Sequence, residues 1–241
     1  MTRFIIGTVA AVVVLVLPAS AALQVRQFAL ESAAGLTPHN VDVEAATLDG
    51  RRGVRVTLAR ETRQQLEKLP QAERDKRVFN QLATIVDLEF SNGVIEVELA
   101  GAPAPDAPST ARGFVGLAFR LRPDNETFEA FYLRPTNGRA DDQQRRNRSV
   151  QYISHPEWTW FRLREETPAK YESYVDLVPG AWTRVKIEVQ GDKGRLFVHD
   201  SQQPTLVVND LKTGAKGSGA VALWIDLGTV AHFRNLRVTP K

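Results

Sequence analysis

The chain has no cysteine and only one methionine in 241 residues. No disulfide can staple it and no thiolate zinc site can form, so its stability has to come from an apolar core. The missing cysteine also excludes a lipid anchor of the bacterial lipoprotein kind after the N-terminal apolar run. Neither sign of charge dominates: 31 Lys and Arg against 28 Asp and Glu give a formal net charge of +3 and a pI near 9.3. That excess is too mild, and apart from Arg145, Arg146 and Arg148 too scattered, to imply a nucleic-acid partner. Of the four histidines, His39, His199 and His232 lack metal-ligand spacing. There is no Gly-rich phosphate loop, no nucleophile elbow and no Ser-His-Asp order. Blade-length repeats are missing, which excludes a propeller, and so are heptads. Helix signals are scarce, the clearest being the charged stretch from Arg60 to Arg77 with Leu66 and Leu69 at helical spacing and Pro70 as a stop.

What is present begins with an export signal. Arg3 precedes an apolar run from Phe4 to Leu17, and Pro18 and the small-residue site Ala19-Ser20-Ala21 follow. This pattern predicts a secretory signal peptide over residues 1–21, cleaved after Ala21, and a secreted or periplasmic protein of residues 22–241. The run is shorter than the ~20 residues that a spanning helix needs, so no stable membrane span is expected after cleavage.

The remainder reads as strand after strand. Val41 to Leu48 and Val54 to Leu58 flank Asp49-Gly50-Arg51-Arg52-Gly53 and predict a hairpin. Leu82 to Phe90 and Val94 to Leu99 flank Ser91-Asn92-Gly93 and predict a second hairpin, because Asn-Gly supplies positive φ. Further strands are expected at Phe114 to Leu121, Phe128 to Arg134, Val150 to Ser154, Tyr171 to Leu177, Trp182 to Gln190, Arg195 to His199, Thr205 to Val208, Gly219 to Ile225 and Val230 to Val238. In Trp182 to Gln190, Val185, Ile187 and Val189 alternate with Arg184, Lys186 and Glu188, so one face must be wet. About a dozen short strands with almost no helix predict an all-β fold, a two-sheet antiparallel β-sandwich of jelly-roll type in one domain.

Several segments carry a resemblance. Phe90-Ser91-Asn92-Gly93-Val94-Ile95-Glu96-Val97-Glu98, Gly116-Leu117-Ala118-Phe119-Arg120, Phe131-Tyr132-Leu133-Arg134-Pro135, Trp182-Thr183-Arg184-Val185-Lys186 and Phe233-Arg234-Asn235-Leu236 resemble the concanavalin A-like lectin/glucanase superfamily. Its laminin-G-like domains and bacterial 3-keto-disaccharide hydrolase-type domains are the most similar, over roughly residues 78–240. The resemblance implies a curved jelly roll whose concave sheet is the usual place for sugar, in a superfamily of lectins, glycosidases, lyases and adhesion modules. The Glu-x-Asp-x-x-Glu strand motif of its laminarinase-type glucanases has no match here.

The stretch from Phe114 to Trp160 places arginines and aromatics at alternating strand positions beside a long polar loop, a chemistry suited to something polyhydroxylated or acidic. Strand phase puts Leu117, Phe119, Phe131 and Ile153 on the core face, with Glu129 in phase with Phe131, and Arg120, Tyr132, Arg134 and Tyr152 on an open face. A guanidinium donates paired hydrogen bonds to vicinal hydroxyls or a carboxylate, and an aromatic ring gives a sugar an apolar face to rest on. The plain alternative is that both arginines make structural ion pairs with Glu96, Glu98 or Glu129. Asn147, His155 and Trp160 are expected at the rim. Candidates for catalysis are Glu96 and Glu98, which share one face of a strand, and His155 as a general base. Asp141-Asp142 is the one hint of calcium, and two adjacent carboxylates fall well short of the six to eight oxygens that calcium takes. No cofactor is expected. The predicted partner is a carbohydrate or glycoconjugate, bound lectin-fashion, with a glycoside-acting enzyme and a ligand-free adhesion or assembly module as alternatives.

Overall fold

The computed structural model describes residues 24–70 and 80–241. The expected signal peptide lies outside the described residues, as do 71–79 at the end of the Arg60 to Arg77 stretch. The start of that stretch forms the expected short helix, Arg60–Glu67. Among the described residues, no helix is long and apolar enough to cross a membrane.

The strands build two antiparallel sheets. The eight-stranded sheet runs in the order β13 (Leu206–Val208), β12 (Lys193–Val198), β11 (Thr183–Gln190), β6 (Gly93–Pro103), β15 (Thr229–Pro240), β4 (Arg51–Leu58) and β3 (Val41–Leu48), with β1 (Arg26–Phe28) also paired to β15. The seven-stranded sheet runs β10 (Glu172–Ser173), β9 (Val150–His155), β8 (Phe128–Leu133), β7 (Val115–Leu121), β14 (Gly219–Ile225), β5 (Gln81–Phe90) and β2 (Leu36–His39). The all-β two-sheet sandwich expected from sequence is the fold found.

Alternation explains the eight-stranded sheet. In β11 the residues Val185, Ile187 and Val189 are buried while Arg184 and Gln190 are exposed, and β6 buries Ile95, Val97 and Leu99 beside half-buried Glu96 and Glu98. The buried sets face the other sheet. There, Phe131 of β8 stacks on Phe119 at 6.0 Å, and Phe119 meets Phe90 edge-on at 6.3 Å. Phe131 reaches far enough across that a Cβ at Gly194 of β12 would lie 2.9 Å from its ring, so this approach requires glycine. Each such phenyl group stabilises the fold by about 1.5–3 kcal/mol relative to an exposed one.

The seven-stranded sheet follows a different rule: every residue of β7 and β8 is buried. One face packs on the opposite sheet, and around β8 and β9 a returning segment covers the other. After β9 the chain doubles back, with Trp158 N–H donating to Ser154 O at 2.7 Å and Ser154 N–H to Trp158 O at 3.0 Å, and it enters the helix Trp160–Glu166, whose Leu163 is buried.

Three expectations need correction. The Leu82 to Leu99 hairpin does not form, because β5 pairs with β14 and β2 while β6 pairs with β11 and β15, so Ser91-Asn92-Gly93 arches from one sheet to the other. Asn-Gly reports a chain reversal and not the pairing of its flanks. Here both flanking strands direct apolar residues into the interior, and the reversal spans it. The Val41 to Leu58 hairpin does form, on Asp49 (φ 49°) and Gly50 (φ 73°) with Leu48 opposite Arg51. Second, the Tyr171 to Leu177 strand shrinks to Glu172–Ser173. Third, β1, β2 and the helix Trp160–Glu166 carry no periodic signal strong enough to predict them.

Candidate ligand-binding site

The open face expected to collect four side chains divides in two. Arg120 is 0% exposed and faces the interior. Its φ of 55° marks a β-bulge: Ala220 lies opposite Leu121 and Ala222 opposite Ala118, so Phe119 and Arg120 together face one residue, Val221. The extra residue breaks the two-residue alternation from which an outward arginine was expected. Tyr152 is also turned inward, because its cross-strand neighbour is Phe131, 5.4 Å away ring to ring. Glu129 joins the two, and its expected core-facing phase is what the structure shows. It pairs with Arg120 Nη1 at 3.2 Å and accepts from Tyr152 Oη at 2.8 Å and Thr213 N–H at 3.1 Å. Arg120 spends its remaining donors on Ser91 O, Gly191 O, Thr213 Oγ1 and Gly214 O at 2.7–3.1 Å. Burial, and then the charge of Glu129, pushes the Tyr152 hydroxyl well above its ordinary pKa. This network ties loops together and has no room for a sugar.

Tyr132 and Arg134 do lie on the outer face of the seven-stranded sheet, but under a roof. Tyr132 packs against Trp224 at 4.8 Å and Phe114 at 5.3 Å, and burial pushes its hydroxyl up to about 12. The Arg134 guanidinium, on a residue 4% exposed, sits 5.0 Å from the ring centre of Phe114, 5.3 Å from Tyr132 and 5.8 Å from Trp160. It donates to Tyr132 Oη at 2.8 Å and Gln151 Oε1 at 2.9 Å, and it pairs with Glu172 at 3.3 Å. Arg164 and Arg148 converge on the same Glu172 carboxylate, which fastens the returning segment to the sheet. Removing one member of a buried pair leaves a desolvated charge, at about 3–5 kcal/mol, so Arg134 is a fixed part of the scaffold. It positions Trp160, which remains 42% exposed beside Phe161 at 57%, with Arg164 4.6 Å from the Trp160 ring centre.

The other rim residues lie apart. Asn147 is exposed at the end of the short helix Gln143–Arg146, where its Oδ1 accepts from Gln143 Nε2 at 2.7 Å. His155 stacks on Phe128 at 4.9 Å at the far end of β9, and burial pushes it down to about 4, so it is neutral at physiological pH. Asp142 serves as the N-cap of that helix, accepting from Arg145 N–H at 3.0 Å. Among the described residues, no three His, Cys, Asp or Glu side chains come together as metal ligands.

Glu96 and Glu98 point outward from the eight-stranded sheet and line a shallow depression of about 380 Å³ with Arg184, Lys186 and Arg237. A neighbouring hollow of about 320 Å³ shares Glu98 and Arg184 and adds Arg51, Trp182 and His199. Arginines already engage both carboxylates: Arg237 is 3.8 Å from Glu96, and Arg51 and Arg234 are 3.4 and 3.6 Å from Glu98.

No protein-family model matches the chain, and no curated protein matches it in sequence. Solved structures do match it in shape. A carbohydrate-binding module of Bacillus subtilis, CBM66, superposes with a TM-score of 0.54 over 85% of this chain and 95% of the module at 13% identity. A second Bacillus subtilis protein, of unknown function with a galectin-like fold, gives 0.53 over 89% of this chain and 94% of its own at 12% identity. The fold is concanavalin A-like. At such identities the likeness shows the sandwich alone, and a ligand has to be argued from the side chains.

The structure also brings in residues that had no signal as sites: Phe114 and Arg112 in the loop before β7, Arg145, Glu172 and Asp226. They come from four separate segments and meet only through the sheet order and the returning segment. Asp226 follows β14, its N–H donating to Phe114 O at 3.2 Å, and burial pushes its carboxyl up to about 6.

Proposed function

We propose that this chain is an exported carbohydrate-binding protein that holds its ligand at the Arg134 end of the seven-stranded sheet. The observation that carries this reading is the mounting of Trp160 and Phe161. They are two large aromatics, exposed side by side, and Trp160 is held over a buried guanidinium that is itself anchored by Glu172. Rigid exposed rings give a pyranose a surface to stack on at little entropic cost, and loops at the edge of a rigid sandwich are where ligand contacts concentrate. The fold shared with a carbohydrate-binding module supports the same reading, and the N-terminal sequence pattern, Arg3 ahead of an apolar run and a small-residue site, is the basis for export. Glu96 and Glu98, each engaged by arginine, favour binding over hydrolysis.

A glycan-array screen of the purified chain, repeated with Trp160→Ala, tests this. Stacking lost with Trp160 should weaken binding about tenfold, corresponding to about 1.4 kcal/mol. Binding unchanged by the substitution would remove the site from this end of the sheet. A chain that binds no glycan would fit a protein-docking module instead.

A further inference from the structure

Arginines around Arg134 outnumber the carboxylates available to neutralise them. Arg134, Arg148 and Arg164 share the single charge of Glu172. Two more approach from the flanking loops and meet at Thr136: its N–H and Oγ1 both lie 3.4 Å from Arg112 O, and Arg145 Nη2 donates to Thr136 O at 3.4 Å. Among the described residues, neither Arg112 nor Arg145 has an ion-pair partner. Arg112 Nη1 rests on the carbonyls of Ser109 and Ala111 at 3.0 and 3.2 Å, and Arg145 Nε is buried with no acceptor, as is Arg134 Nε. Burial, followed by the charges of Arg145 and Arg134, pushes the Arg112 guanidinium below its ordinary pKa. Asp226 is the other acid near Arg134, and its raised pKa leaves part of it uncharged close to neutral pH.

The imbalance is local. On the outer face of the eight-stranded sheet, Arg51, Arg184, Lys186, Arg234 and Arg237 each have an acid partner in Glu98, Asp200, Glu188, Glu98 and Glu96. There four carboxylates answer five cations and every one of the five is paired, whereas the Arg134 end sets five guanidiniums against Glu172 and Asp226. Guanidinium forks match carboxylate and sulfate oxygens in pairs.

We propose that Arg112 and Arg145, backed by Arg134, take the anionic group of an acidic sugar, a uronate carboxylate or a sulfate ester, while Trp160 carries the ring. This rests on the carbohydrate reading above and names the class of sugar.

Titration calorimetry of the purified chain would compare four oligosaccharides of equal length: a galacturonate oligomer, its methyl ester, a sulfated glucan oligomer and the unsulfated glucan. At least one acidic member should bind tenfold or more tighter than its neutral counterpart, and the two acidic arms distinguish carboxylate from sulfate. The preference should shrink several-fold as salt rises to about 0.5 M, through screening. Arg112→Ala and Arg145→Ala should each cut the acidic-to-neutral affinity ratio about tenfold, while Arg145→Lys retains part of it, with melting temperatures confirming folded variants. Equal affinity for acidic and neutral members would overturn the inference and leave the carbohydrate reading standing. Failure to bind any of the four, alongside neutral hits on the array, would do the same. Failure on both would end both readings.

Discussion

His155 and Asp226 titrate in opposite senses across one pH range. The unfolded chain protonates His155 near 6.5 and the folded chain only near about 4, so stability falls as pH drops between those values. Asp226 runs the other way, because the folded chain binds its proton near about 6 and the unfolded chain near 3.8, so acidification through that window stabilises the fold. Each contribution is at most about 3 kcal/mol, and the two largely cancel between pH 6 and 4. Single substitutions should separate them. His155→Phe keeps a ring against Phe128, and its stability should rise on acidification relative to wild type, while that of Asp226→Asn should fall. Thermal melts from pH 4 to 7 check this, and three parallel curves would contradict it. Legibility at this scale depended on local regularity. Glu129 fell where its phase put it, and the ion-pair alternative included it among three acids for Arg120, though not Glu172 for Arg134. The direction of Arg120 was hidden because one bulged residue shifts the phase of everything after it, and nothing in Ala118-Phe119-Arg120-Leu121 marks the bulge.

Strands with one wet face were legible, and strands buried on both faces were not. β6 and β11 alternate because water meets every second residue, and their faces were read correctly. β7, β8 and nearly all of β9 have no such contrast, so in β9 Tyr152 beside Ile153 gave no means of telling inward from outward, and the choice fell the wrong way. The same double burial is what the helix Trp160–Glu166 and its lead-in create by covering the sheet. Packing between the sheets is equally tight. Gly194→Val should lower the melting temperature by an amount corresponding to about 1–3 kcal/mol, because the added methyls meet the Phe131 ring. Unchanged stability would mean that the phenyl group has free space to move into.

Across the whole molecule, the sandwich offers two outer surfaces of different character, one laced with ion pairs and shallowly hollowed, the other roofed and rich in arginine. Composition could not separate them, since a net charge of +3 averages over both. Sheet order did, by carrying Arg112, Arg134, Arg145 and Glu172 to one end. Arg120 acts at this scale too. Its guanidinium holds Ser91, Gly191 and Gly214, which are 29, 71 and 94 residues away along the chain and belong to connections serving both sheets. Such contacts can close only after the sheets have met, when most of the loop-closure entropy has already been lost. Interactions absent from the folding transition state govern how long a protein stays folded and have little influence on how fast it folds. Arg120→Met should therefore speed unfolding by an order of magnitude or more while folding slows little, read from the two arms of a denaturant chevron; a loss confined to the folding arm would place this arginine in the nucleus instead. For a chain without a disulfide, one side chain then serves as the clasp that sets the lifetime of the folded state.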